Sequence, residues 1–253
     1  MRLLSDSALV FQRSLAQTLR NPVWLVFNLT QPVLYLVLFG PLLERVKVTQ
    51  GFPPDGAYNV YVPGLLIQLG IFGTAFVGFG LLAELRSGVL ERLQVTPIRR
   101  PALLLGRAAR DVLALGCQAV TLVLLALPFG LRLDVAGVVP ALALVLVLGL
   151  AFSSLSYNLA LLLRSEEALQ PLLYSASLPL LLLSGILLPL SLAPVWLRRI
   201  ADVNPLSHAV TATRSLFNGH FGEREVLIGV VVVITFALVN VSLAVRRFER
   251  SAA

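Results

Sequence analysis

Few residues in this chain could do covalent or metal chemistry. Ser184-Gly185 with His208 is the one pairing that offers a nucleophile and a base. Such a pair would suit proteolysis inside a membrane, but the glycine that should stand two residues before the serine is missing. His208 and His220 are the only histidines. They could form a metal pair, but capping or surface roles are the commoner fate of isolated histidines. Lys47 is the only lysine, and it stands between Val46 and Val48. A phosphate-binding loop needs a lysine that reaches the β- and γ-phosphates. The chain is therefore expected to be no ATPase. ATP and magnesium, where they are used, are expected on a separate subunit.

The segment 83–110 offers a different kind of chemistry, recognition by charge. Leu82, Leu85, Val89 and Leu93 recur at helical spacing, which predicts that the apolar run before them continues as an amphipathic helix. Glu84, Arg86, Glu91 and Arg92 fall on the aqueous side. Gly88 would allow a bend or a close approach. Thr96-Pro97 ends the helix, Arg99 and Arg100 follow, and Pro101 suits the first turn of the next helix. Anionic headgroups would attract these arginines in any membrane protein, but the glutamates gain nothing from them. A protein partner is the alternative. Arg164-Ser165-Glu166-Glu167 is a second such segment, and it reads equally as the solvated end of a helix hairpin.

The elements that must position these residues are membrane helices. Of the 253 residues, 57% are hydrophobic and only 13% charged, and the mean hydropathy is +0.87. That charge share is about half the usual value for soluble domains. A span needs about 20 apolar residues, and six runs qualify: 23–43, 62–83, 112–129, 138–163, 170–190 and 226–245. Cys117, the only cysteine, lies within the third, so no intrachain disulfide is possible. The net charge of +7 speaks of orientation rather than nucleic acid, because the arginines sit in short loops. With the N-terminus inside, most basic residues fall inside, which predicts both termini in the cytoplasm.

Residues 1–20 read as an amphipathic helix. Leu4, Ala8, Phe11, Leu15 and Leu19 share one face, and Arg2, Asp6, Arg13, Gln17 and Arg20 another. It suits the membrane interface and equally a helix packed on its neighbours. Residues 191–225 are too polar to face lipid. They hold two short helix-like pieces, 193–200 and 205–218, expected to dip back under cover of protein or water. No span shows a clear buried charge pair, and Arg110-Asp111 reads as a local pair. Gln68, Phe72, Phe76, Tyr157, Asn158 and Tyr174 could line a path for an amphipathic drug or lipid, although polar groups of this kind also hold helices together. A motor-independent secondary transporter or channel is the competing class. It calls for an intramembrane charge or a matched pair of broken helices, and Pro32 and Pro171 do not make such a pair.

Two stretches carry a family resemblance. LRSGVLERLQVTPIRRPALLLGR, residues 85–107, resembles the cytoplasmic segment of ABC-2 type permeases, in particular the daunorubicin-resistance group. Ser177, Leu180, Leu183, Ser184, Ile186, Ala193 and Pro194, then Pro205, Leu206, Ser207, His208 and Arg214, fit the spacing of that family's signature. Leu85-Arg86 departs from the Arg-Glu of many relatives. The resemblance spans essentially the whole chain. It implies a single all-α, type V exporter-like transmembrane domain over 1–253, with an interfacial elbow helix (1–20), a cytoplasmic coupling region (84–107) and an outer re-entrant segment (191–225) before the last span. It further implies two cytosolic ATPase subunits and a second permease copy or sister permease, in a prokaryotic inner membrane. Glu84, Arg86, Gly88, Glu91, Arg92, Thr96, Pro97, Arg99 and Arg100 would meet the ATPase, helped by Arg164, Glu166 and Glu167. Pro205, His208 and Arg214 would belong to the outer gate.

Overall fold

A computed structural model describes residues 2–20, 23–46, 56–88, 100–186 and 193–250. All regular structure among them is helical. In chain order the helices are α1 (Arg2–Arg20), α2 (Val23–Val46), α3 (Ala57–Ala75), α4 (Gly78–Arg86), α5 (Arg100–Ala126), α6 (Val135–Leu163), α7 (Glu166–Leu183), α8 (Val195–Ala201), α9 (Pro205–Phe217) and α10 (Arg224–Arg250). A short 3-10 turn, Leu127–Phe129, closes α5.

α6 is the hub, packed against α3, α5, α9 and α10. Its sequence explains this. Leu144, Val145, Leu148 and Phe152 are buried beside the small residues Ala141, Gly149 and Ala151, so neighbouring helices can approach closely. Asp134 caps its start by accepting the Ala136 N–H at 3.1 Å. The main core runs between α3, α5, α6 and α9. A smaller one, holding Leu81, Leu103, Leu104, Tyr157, Leu169 and Phe248, fills the end where α4 finishes and α5 begins.

Among the described residues, four stretches are long and apolar enough to cross a bilayer: Ala57–Arg86, Pro101–Phe129, Val135–Leu163 and Arg224–Glu249. Within α2, Val26–Leu42 is an apolar stretch of the described residues, and α7 begins with Glu166 and Glu167. The helices overrun the expected spans at several ends. The helix of the third starts at Arg100, where Pro101 marked its first turn, well ahead of the apolar run at 112, because the charges at 107, 110 and 111 are paired inside the helix bundle and do not stop it. The last reaches Arg250.

The second span is interrupted. α3 stops at Ala75 and α4 starts at Gly78. Ser156 of α6 repairs the gap. Its hydroxyl donates to the Ala75 carbonyl and accepts the Gly78 N–H at 2.9 Å. A Cβ at position 78 would stand 2.6 Å from the Ser156 carbonyl oxygen, so only glycine admits this approach. Sequence periodicity predicted one unbroken run here. The break is single among the described helices.

Candidate coupling site and outer clamp

Charged side chains concentrate where α4 ends and α5 begins. The Arg107 guanidinium is ion-paired with the Glu84 carboxylate, and Arg107 is only 5% exposed. One turn along α5, Arg110 Nη2 lies 2.9 Å from Asp111 Oδ1, and Arg110 Nη1 donates to Thr18 Oγ1 at 3.1 Å. Tyr157 of α6 donates to Asp111 Oδ2 at 2.5 Å. Arg86 Nη1 lies 3.3 Å from Glu166 Oε1. These bonds join α1, α4, α5, α6 and α7 in one network. The expectation of no buried charge pair in a span is thereby corrected. Arg107 and Asp111 are both buried within α5, each held by a partner from another helix. Their signal in the sequence was the spacing 107, 110, 111, which places all three on one side of a helix.

The network members differ in energetic weight. Arg86–Glu166 is exposed, and such pairs are worth about 0–1 kcal/mol. Breaking a buried pair from one side costs about 3–5 kcal/mol, so Glu84–Arg107 is the stronger brace. Arg86–Glu166 matters more for what it brings together, since it ties the two charged segments singled out in the sequence. Arg164 sits next to it in the left-handed conformation (φ 49°) as the cap of α6, and Glu167 is exposed in the first turn of α7.

The helix expected to run on from α4 is interrupted after Arg86, and Val89 and Leu93 lie outside the described residues. Ser87 N–H bonds to Ala83 O at 3.0 Å and Gly88 N–H to Leu85 O at 3.2 Å. Gly88 takes φ 69°, the left-handed ending that glycine supplies at a helix C-terminus. Glu91, Arg92, Thr96, Pro97 and Arg99 lie outside the described residues. Arg100 opens α5, and Pro101 follows in its first turn.

At the opposite end, Arg214 of α9 forms a clamp. Its Nε donates to Val60 O at 2.9 Å. Its Nη2 donates to Gly185 O at 2.8 Å and to Ile186 O at 3.2 Å. Burial lowers its pKa to about 10, so it stays charged at neutral pH. Three carbonyls from the start of α3 and the end of α7 thus converge on one cation. Asn59 and Asn218 add a second brace, with Asn59 Nδ2 3.1 Å from Asn218 Oδ1 and Asn59 Oδ1 accepting the Arg132 N–H at 3.0 Å. Sequence reading missed both asparagines, which only the fold brings together.

Pro205 starts α9 behind the Asn204 cap. His208 Nε2 bonds to Asp202 O at 2.9 Å, tying α9 back to the end of α8. Ser184 donates to Leu181 O at 2.9 Å. The suggested nucleophile and base are thus each bonded elsewhere. His220 instead faces Glu223 at 3.7 Å.

Of the suggested path residues, Phe76 packs against both Phe79 and Tyr174, at ring-centroid distances of 6.2 and 5.6 Å. Tyr174 of α7 is largely exposed, and Phe72 is half-buried on α3. Together they make an aromatic surface between the interrupted span and α7. Gln68 is buried with neither amide atom bonded, and Asn158 Oδ1 is likewise unpaired. Tyr157 belongs to the charge network instead. Thr74, Ser153 and Asn240 bond to carbonyls of their own helices, as packing residues do.

These features define a helical membrane protein whose charged residues are braced at one end of the bundle and clamped at the other. The family profile described as ABC-2 type transporter matches residues 7–218. The chain is 30% identical over 222 residues to the daunorubicin resistance ABC transporter permease protein DrrB1 of Streptomyces coeruleorubidus, covering 87% of this chain and 77% of that one. It is 28% identical to the putative transport permease ycf38 of Pyropia yezoensis, over 93% and 85% of the two chains. It is 24% identical to the probable doxorubicin resistance ABC transporter permease protein DrrC of Mycobacterium tuberculosis, over 85% and 78%. The chain belongs to the ABC-2 type transporter family.

Proposed function

We propose that this chain is the transmembrane permease subunit of an ATP-driven exporter that moves an amphipathic drug or a lipid-like molecule out of the cell. The observation that carries the reading is the Arg86–Glu166 pair beside the Glu84–Arg107 brace. It ties the residues on both sides of the 89–99 segment to the inner ends of five helices. A push on that segment by a cytosolic ATPase would reach α4 and α5 together, and rigid helices transmit such displacements. ATP and magnesium would be held by two ATPase subunits, and a second permease copy or a sister permease would complete the path. The similarity to drug-resistance permeases supports an amphipathic cargo. The aromatic surface of Phe72, Phe76, Phe79 and Tyr174 offers it a face to slide along. The chain would lie in a prokaryotic cell membrane with both termini in the cytoplasm.

Co-expression with the ABC ATPase encoded nearest to it, followed by purification in detergent, tests this. A stable complex with two ATPases per two permease chains is expected, with ATP hydrolysis stimulated by the permease. A folded, monodisperse permease that retains no ATPase would overturn the reading.

A further inference from the structure

The two halves of the interrupted span are held very differently. α3 packs against α2, α5, α6 and α9, whereas α4 packs extensively on α6 alone among the described residues. Gly80 and Glu84 of α4, with Val77 of the joint, border a cavity of about 280 Å³. Its other walls include Ser14 and Gln17 of α1 and Arg107 of α5. A Cβ at Gly80 would meet nothing within 4 Å. Packing therefore does not require glycine there, yet glycine weakens a helix relative to alanine. A firmly gripped half thus joins a loosely held one beside open space, and the helix is softened just past the joint.

The hydrogen bonds at the joint have a second closed arrangement. Around the break, the N–H groups of Val77, Phe79 and Gly80 reach back three residues, to the carbonyls of Thr74, Phe76 and Val77, at 3.4, 3.2 and 3.1 Å. Ser156 takes the remaining pair, the Ala75 carbonyl and the Gly78 N–H. In an unbroken helix the Gly78 N–H would bond to Thr74 O and the Phe79 N–H to Ala75 O. The released Ser156 hydroxyl can then turn to the carbonyl four residues back in α6, at Phe152. Neither arrangement leaves a backbone group orphaned, as a bilayer requires. Drawing α4 off α6 would convert the first into the second, and the cavity is the side with room for it.

Phe76 stands inside the joint, and its ring packs on Phe79 and Tyr174. The aromatic surface assigned to cargo therefore shares a residue with the break. We propose that residues 75–78 are a hinge, with Ser156 as its positioning residue. Displacement of the Arg86 end of α4 swings α4 into the cavity, recloses the helix and shifts Phe76 within the aromatic surface. Motor and cargo then act on the same joint. The source of the displacement rests on the permease reading above, and the hinge itself does not.

Thiol accessibility in the full chain tests this. Cys117→Ser removes the only native thiol. Gly80→Cys then places one on the cavity wall, for reaction with a water-soluble maleimide in detergent. Ser156→Ala removes the bonds that hold the break open and should slow the reaction several-fold, because α4 then fills the cavity. Ser156→Thr keeps a hydroxyl and should restore the parental rate. A merely structural serine gives the opposite sign, since loosened packing exposes a thiol and speeds its reaction. In a complex with the ATPase, a non-hydrolysable ATP analogue should slow the Gly80→Cys reaction with Ser156 in place. An unchanged or faster rate in Ser156→Ala would overturn the hinge, as would a rate in the complex that is indifferent to nucleotide. Should Ser156→Ala fail to fold, the nucleotide comparison decides alone. Should no ATPase bind, the permease reading fails, and the Ser156 comparison still decides the hinge.

Discussion

Tyr157 donates its hydroxyl to Asp111 Oδ2 at 2.5 Å, across the contact between α6 and α5. Asp111 is 4% exposed and Tyr157 1%, so neither can turn to water if the other is removed. Tyr157→Phe leaves the carboxylate held by Arg110 alone. A buried acceptor losing one bond costs about 1–3 kcal/mol. Thermal unfolding in detergent should show a lowered midpoint for Tyr157→Phe. An unchanged midpoint would mean that the hydroxyl does not hold the carboxylate.

Glu84 and Arg107 invite a double-mutant cycle. Glu84→Gln leaves Arg107 buried without its counter-charge, and Arg107→Gln leaves a half-exposed carboxylate with water at hand. The first should therefore destabilise more, by about 3–5 kcal/mol, and the pair of changes together should cost less than their sum. Strict additivity would show that the two charges are not coupled.

Periodicity and length made most helices legible, because a bilayer demands long apolar runs and those are visible in one chain. The split of the second span was not legible. Phe76 and Val77 are apolar like their neighbours, and the cause of the break is the Ser156 hydroxyl from a distant helix. Pro101 marked the start of α5, but the burial of its charged first turns was hidden for the opposite reason. Arg107, Arg110 and Asp111 look like the solvated start of a helix until their partners Glu84, Thr18 and Tyr157 arrive from three other elements. At the site, Glu84, Arg86, Glu166 and Arg214 were named from sequence, and the fold gives each a definite partner. That Glu84 turns to Arg107 could not be read from a helical wheel.

Gly88 at φ 69° gives a third prediction. A β-branched side chain there costs about 1–2 kcal/mol for the left-handed conformation alone, and valine would favour running α4 on into the coupling segment. Gly88→Val should weaken ATPase association in pull-down and lower stimulated ATP turnover. Gly88→Asn, which tolerates this conformation better, should restore much of both. Equal behaviour of the two variants and the parent would remove the helix ending from the coupling mechanism.

Arg214 gives a prediction with a pH sign. Its pKa is lowered by burial to about 10, from an ordinary arginine value higher still, so between pH 7 and 9 it is protonated both folded and unfolded, and it adds no pH dependence there. Arg214→Lys keeps a cation but cannot reach three carbonyls from a planar fork. Its ammonium starts from about 10.4 when unfolded, and the same burial lowers it when folded. The unfolded chain then holds more protons than the folded one over a range that starts below pH 10.4, and stability rises with pH wherever that is so. Arg214→Lys should thus be less stable than the parent at pH 7 and close part of the gap as the pH is raised towards 10. Unfolding midpoints measured across this range for both proteins check the sign. A constant gap would show that the side chain at position 214 does not feel its burial.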